Sequence, residues 1–523
     1  MEIETFLHNL HFDIDKVIPE NWTVDWEDAP LVYKLYRHLP VVPLSSDIPL
    51  TLERQETPVK PNLEKISHFL WYVFGLTQYC NSVSSFGWKE HTSVQLFRRF
   101  VPSGGALYPN ELYIYLKLKD LPEGVYHYDV AHHRLVLVRQ GNFDSYLARA
   151  LGNQCDVSDC FGVIFISTMF WKNFFKYNNL SYRLQGLDAG VLIGQLLEIA
   201  KKFNFASGVY FQFIDRAVNH LLGLSDEEES VYAVIPLSTE HAIRWFSQHD
   251  SKENMLNSQL CGELPKVQHD YYIGSKRITD YPMLRKMNEA SVTETFVSFP
   301  NLKEKRSFVN ELKSVILPNV KRLQYDIASV CQKRLSPDRD FVLKEISQIK
   351  LAALLQEAML SFSYRNDLDG EQQNPKPRVS LYGSFYNVEG VPSGAYYYDS
   401  AAHALRQIRS GDYRLFLQTG MAMDNVNLLQ VPICLHIVGD RHHLTETLGY
   451  RGYRIQQMEA GMLVQRLLLT ATAMNMGGHP LLGFDANACD DLYEINQKGK
   501  TSLIQLPIGP HRPRDWLKGS LRS

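Results

Sequence analysis

Apolar positions between residues 182 and 204 fall at Leu187, Val191, Leu192, Leu196, Ile199 and Ala200. Three-and-four spacing places them on one face, which predicts a long core helix. Residues 453–475 repeat much of that stretch and predict a second. Apolar runs at 162–168 and 431–438 precede the two helices, and runs at 231–237 and 502–506 follow them. Each is short and β-branched enough to predict a strand. Aromatic and β-branched residues around a Tyr-Asp turn at 124–143 predict a hairpin. Helices of about twenty residues mixed with such strands indicate an α+β fold.

The pattern occurs twice. Residues 124–143 and 394–413 are identical at nine of twenty ungapped positions, where average residue usage would give about one or two. Residues 182–204 and 453–475 agree at ten of twenty-three. A period of about 270 residues is too long for a solenoid, so the chain reads as two diverged copies of one domain. The expected boundaries are a lead-in at 1–55, a first domain at 56–240, a connecting segment at 241–300 and a second domain at 301–523. The small pairs Ala189-Gly190 and Ala460-Gly461 recur within the helices. Such residues admit either a second helix or a flat ligand at close range.

Composition narrows the functional classes. The 523 residues carry 54 basic and 57 acidic side chains, a formal charge of −3, which gives no nucleic-acid footprint and no polybasic membrane anchor. No apolar run approaches the ~18 residues of a membrane span. The acidic start, Met-Glu-Ile-Glu-Thr-Phe, lacks the apolar core of a secretory signal. Seven scattered cysteines suit a reducing, cytoplasmic setting. Cys155 and Cys160 read as buried thiols, because no second pair completes a metal shell, and no metal is expected.

Four segments carry candidate chemistry. Pro102-Ser103-Gly104-Gly105 is a turn poor in side chains. Its backbone N–H groups can approach a flat or anionic ligand, with the Ser103 hydroxyl as a further donor, although a plain turn fits as well. Lys176-Tyr177 pairs an ammonium with a phenol whose pKa it can lower, which would make Tyr177 a usable proton acceptor. A solvated lysine beside a half-buried tyrosine is the simpler alternative. Arg334, Ser336 and Arg339, read as a helix start, suit a phosphate through bidentate donors and the helix dipole. The same residues suit a solvated cap with Ser336 as N-cap. Residues 478–485, Gly-His-Pro-Leu-Leu-Gly-Phe-Asp, form a turn into a short helix, and Arg512 and Arg514 lie in the tail.

With these segments in hand, the first half resembles the SagB/ThcOx-type dehydrogenases, flavoproteins that oxidise azolines to azoles in modified peptides. Residues 102–111, 124–129, 176–177 and 182–190 carry that resemblance, and 26–34 resembles the family's lead-in. The second half resembles the wider nitroreductase superfamily through the Arg-x-Ser-x-x-Arg segment and the Pro-x-x-Gly-Phe-Asp turn. Such proteins typically dimerise and hold FMN between subunits. The resemblance implies that Arg334, Ser336 and Arg339, helped by Arg512 or Arg514, hold the FMN phosphate. Pro102, Ser103, Gly104 and Gly105 would line the ring, and the backbone at Leu482 and Gly483 would face flavin N5 or O4. Tyr177, supported by Lys176, would take a proton from substrate while the flavin takes a hydride, and dioxygen would reoxidise it. The implied substrate is a thiazoline or oxazoline on a peptide or carrier-bound intermediate, with a cyclodehydratase or carrier protein as possible partner. An NAD(P)H-dependent nitro or quinone reductase and a non-catalytic peptide-binding scaffold are the alternatives. The chain would be a monomer, as an internal pseudo-dimer, or a homodimer.

The two copies have diverged in a complementary way. The first keeps the Pro-Ser-Gly-Gly loop and Lys176-Tyr177; the second has 378–389 and Thr447-Leu448 instead. The second keeps the Arg-Ser-Arg segment and Gly483-Phe484-Asp485; the first has 36–40 and Phe213-Ile214-Asp215 at the places aligned with them. One intact site per chain is expected.

Overall fold

The structure is a computed structural model and describes residues 1–84, 92–241, 245–246, 255–296, 300, 302, 312–370, 372, 375, 377–513 and 517–520. Side chains at 81–84, 92–95, 255–256, 296, 361 and 517–520 are likewise outside the description. Two seven-stranded antiparallel sheets dominate. In the first the spatial order is Val41–Pro43, Arg134–Gln140, Gly124–Asp129, Asn110–Leu116, Gly162–Met169, Glu229–Ser238, Ala206–Ser207. In the second it is Ser314–Ile316, Ala404–Ser410, Gly394–Asp399, Ser380–Phe385, Ile433–Asp440, Lys500–Gly509, Gly477–Gly478.

Strand order, register and irregularities all repeat. Glu111 faces Ser167 as Ser380 faces Val438. The register slips between Val125 and Tyr126 and again between Ala395 and Tyr396. Bulges bend a strand at fixed places and are built-in features, so their recurrence marks one ancestral sheet in both halves. The expected hairpin and core helices are present, the helices as Ser181–Lys202 and Arg451–Ala473. The connecting region holds helices Asn257–Glu263 and Pro282–Ser291.

The two long helices cross at the centre of the molecule. A Cβ on Gly190 would fall 1.9 Å from the Met458 carbonyl oxygen, and one on Gly461 would fall 2.1 Å from that of Leu187. The rings of Tyr182 and Tyr453 stack at 5.8 Å, and Gln465 Nε2 donates to Gln195 Oε1 at 2.8 Å. The recurrent small residues therefore serve helix packing, and nothing else fits between these backbones. The halves form an intrachain pseudo-dimer. They are further tied by strand Leu517–Ser520, which pairs with Leu76–Ser84 of the first half. Among the described residues no helix is long and apolar enough to cross a membrane.

Candidate functional site

The Pro-Ser-Gly-Gly loop links strands Thr92–Arg99 and Asn110–Leu116. Gly105, Ala106 and Tyr108 all take positive φ, at 64°, 57° and 48°. Two buried anchors hold this turn. At its start, Ser103 Oγ donates to Asp188 Oδ2 at 2.5 Å and Gly104 N donates to Asp188 Oδ1 at 3.2 Å. Ser103 Oγ also accepts from Tyr108 N at 2.9 Å. At its end, Lys172 Nζ donates to the Tyr108 carbonyl at 3.1 Å and pairs with Glu111, which also meets His127 at 2.9 Å. Burial raises the Glu111 pKa, but Lys172, His127 and Arg99 outweigh it and hold the carboxyl at about 2. The hydroxyl proton of Ser103 is thus committed to Asp188, which corrects the expectation of a free donor to ligand there.

Lys176 and Tyr177 end helix Trp171–Tyr177 against this loop. A Cβ on Gly105 would lie 2.6 Å from the Tyr177 hydroxyl and 3.0 Å from Lys176 Nζ. The expected electrostatics are reversed, however. Burial, and then the charge of Asp188, push the Tyr177 phenol up rather than down. Burial pushes the Lys176 amine down. Its Nζ lies 4.9 Å from the centroid of the Tyr177 ring and 5.6 Å from that of Trp26. A phenolate has lost more hydration here than a partly desolvated ammonium over its ring returns.

The Arg-Ser-Arg segment meets the loop from the other half. It does not begin a helix, contrary to expectation. Helix Ile327–Lys333 ends at Arg334, and the next α-helix, Gln348–Ser361, starts after its own cap Ser347, whose Oγ accepts from Lys350 N at 3.3 Å. Ser336 is followed only by the single 3-10 turn Asp338–Asp340, so no α-helix adds its dipole there. Arg334 is buried; its Nε donates to the Phe100 carbonyl at 3.3 Å and its carbonyl accepts from Arg98 Nη2 at 2.6 Å. Its Nη1 is buried with no partner among the described residues. Burial, and then Arg98, lower the Arg334 pKa to about 10, a cost that a bound anion would offset. Ser336 is half-buried beside it. Arg339 is 69% exposed and donates from Nε to the Asp424 carbonyl at 2.9 Å. Arg512 is exposed, and its N–H donates to the Asp340 carbonyl at 2.9 Å. Arg514 lies outside the described residues.

The 477–483 turn packs on the same segment. A Cβ on Gly477 would lie 2.4 Å from Pro337, and Asp338 pairs with His479 at 2.9 Å. The Gly483 carbonyl accepts from Ala422 N at 2.9 Å. Nothing among the described residues accepts from the N–H of Leu482 or Gly483. Asp485 caps helix Ala486–Leu492 by accepting from Ala488 N.

The mirrored place in the first half differs sharply. Tyr210 bridges Val234 as Leu481 bridges Gln505, so Gln212, not Phe213, matches Gly483, and Phe211 matches Leu482. The N–H groups of both are taken by Asp367: Phe211 N donates at 3.0 Å and Gln212 N at 2.7 Å. Arg451 secures the turn, donating from Nε to the Phe211 carbonyl at 2.6 Å and pairing with Asp215 at 2.5 Å. Register corrects a second alignment. Strand Val41–Pro43 holds the place of Ser314–Ile316, so the counterpart of 334–339 lies within 44–62, whose one arginine is Arg54, and not at 36–40.

Asp188 and Asp367 were not singled out by sequence reasoning, beyond Asp188 standing in a motif. Burial raises both carboxyls to about 7, against the hydrogen bonds that favour their charge. An acid whose folded pKa is raised contributes stability at low pH and loses it as pH rises through that value. Two such groups predict that stability falls as pH rises from about 4 to about 7, by on the order of 1 kcal/mol per unit for each group, and levels off above about pH 8. Denaturant unfolding of the wild type and of Asp367→Asn across that range checks this, the variant giving the shallower slope.

Residues 56–237 and 378–509 match the model of the Nitroreductase family. The chain belongs to that family, in two tandem copies. A nitroreductase structure from Anabaena variabilis superposes with a TM-score of 0.74 at 22% identity, covering 98% of this chain and 99% of that one, which establishes the fold. The trifolitoxin-processing protein TfxB of Rhizobium leguminosarum bv. trifolii is 29% identical over 195 residues, 36% of this chain and 49% of that protein. The oxygen-insensitive NAD(P)H nitroreductase of Salmonella typhimurium is 37% identical over 60 residues, 12% of this chain and 28% of that one. The chain thus spans half or less of these curated relatives. Members of the Nitroreductase family generally use FMN.

Proposed function

We propose that the chain holds one FMN between its halves and dehydrogenates a thiazoline or oxazoline to the azole on a peptide or carrier-bound intermediate. The observation that carries the single site is the contrast between the two mirrored turns. Leu482 and Gly483 leave their N–H groups open, whereas Phe211 and Gln212 spend theirs on Asp367. An open N–H pair suits an acceptor edge such as the flavin's N5 and O4, and the unpaired Nη1 of buried Arg334 suits a phosphate. The residues present therefore fit FMN: Arg334 and Ser336 at the phosphate, the 102–105 loop along the ring, and the Leu482–Gly483 backbone at its edge. Arg339 and Arg512 are exposed, and Arg339 is engaged with Asp424, so Arg334 takes the larger share.

FMN, when bound, supplies the hydride acceptor. Aromatisation of an azoline also releases a proton, and Tyr177 is placed beside the loop to receive it. A phenol pushed up by burial is protonated near neutrality. Its oxygen accepts the substrate proton only as its own proton leaves. Lys176, whose amine burial pushes down, lies beside the ring and would take that proton only in its neutral form. The similarity to TfxB, a toxin-processing protein by name, supports a modified-peptide substrate, with a cyclodehydratase or carrier protein as partner. The 60-residue similarity to an NAD(P)H nitroreductase favours nicotinamide-driven reduction as the second reading.

The test is incubation of the FMN-loaded chain with an azoline-bearing peptide in air. Loss of two hydrogen masses from the peptide, with dioxygen consumed, supports the proposal. An unchanged peptide combined with rapid bleaching by NADPH and reduction of a quinone supports the second reading and overturns the first.

A further inference from the structure

The acidic residue two positions before the helix-crossing glycine does the same thing in both halves. Asp188 takes the Ser103 hydroxyl and the Gly104 N–H. At the equivalent position of the second long helix, Glu459 takes the Tyr364 hydroxyl at 2.7 Å and Arg378 Nε at 2.9 Å. Tyr364 and Arg378 belong to the segment that stands where the first half has its Pro-Ser-Gly-Gly loop. Each acid is on a helix whose backbone cannot shift, since Gly190 and Gly461 already bring the two helices into contact. Each is therefore a fixed point to which a neighbouring irregular segment is tied. In the second half the tied segment also carries the Asp367 that fills the mirrored turn. In the first half it is the loop against which Tyr177 lies.

We infer that Asp188 is a positioning residue, the anchor that holds Ser103 and the Gly104-Gly105 turn against the Tyr177 hydroxyl. This rests on the proposed FMN site, whose ring-lining loop it would set. Asp188 receives two donors from consecutive residues, one on each oxygen, and this fixes both the position and the rotation of the turn. Ser103, with its proton given to Asp188 and one lone pair taken by Tyr108 N, closes the loop on itself. An amide at 188 accepts on one atom only and can keep both contacts only by reversing the Ser103 hydroxyl from donor to acceptor, so Asp188→Asn keeps the volume and loosens the clamp. It also removes the negative charge that opposes ionisation of Tyr177, while Lys176, the other ionisable group beside the phenol, is left in place.

The test uses the full chain without FMN, so that its outcome is separable from that of the flavin reading. Hydrogen exchange across 102–108 is expected to quicken at least tenfold in Asp188→Asn, with the Ser181–Lys202 helix unchanged. Ser103→Ala is expected to do the same, and the double variant no more than either alone, because both break one clamp. Should Asp188→Asn fail to fold, Ser103→Ala alone carries the exchange test. A ¹⁹F label as 3-fluorotyrosine at position 177 is expected to titrate at lower pH in Asp188→Asn, and Asp188→Glu to restore the wild-type titration. Loop exchange left unchanged, additive effects of the two variants, or an unmoved titration at 177 overturns the inference. If the clamp behaves as expected and the wild type binds no FMN, the flavin reading fails and the anchor stands.

Discussion

Tyr177→Phe lowers azoline turnover by about 100-fold or more, the usual contribution of a positioned proton acceptor, with FMN retained. The phenyl ring keeps the packing against Gly105 and beneath Lys176 and removes only the oxygen. Since burial keeps the phenol protonated near neutrality, its role depends on passing a proton on, and Lys176→Met should show a loss of similar direction. Single-turnover assays of wild type, Tyr177→Phe and Lys176→Met on one peptide decide this. Turnover of Tyr177→Phe within threefold of wild type would remove Tyr177 from the chemistry.

Arg334→Met weakens FMN binding by about 100-fold, from the loss of a charge-assisted hydrogen bond in a buried setting. Arg334 reaches across from the second half to the Phe100 carbonyl and keeps Nη1 unpaired among the described residues. Arg339→Met is expected to change binding less than threefold, because that side chain is mostly exposed and holds Asp424. Fluorescence titration of the apoprotein with FMN separates the two. Equal losses in both variants would return Arg339 to the phosphate.

The duplication and its elements were legible because local pattern dictates them. Helix faces repeat with a period near 3.6, strands with short apolar runs, and the hairpin copies its turn. The cross-half site was legible only in outline. Motif losses showed that the first half needs the second, but not that Asp367 occupies the mirrored turn, since a contact between residues 211 and 367 has no local signature. The Ser103–Asp188 bond, across 85 positions, is hidden for the same reason. Lys176-Tyr177 misled because adjacency in sequence suggests charge coupling, whereas burial governs the phenol here. Sequence similarity aligns 334–339 with 36–40, whereas edge-strand register places the counterpart within 44–62, where residue similarity is too weak to align.

All of this converges on the inequality of two places that the fold makes equivalent. Flavin released by acid from the purified, FMN-saturated chain, divided by polypeptide concentration, measures it directly. The account predicts one FMN per chain, in the wild type and in Asp367→Asn alike. A value near two would mean that the mirrored turn also holds FMN, and a value near zero would mean that the fold has lost its cofactor.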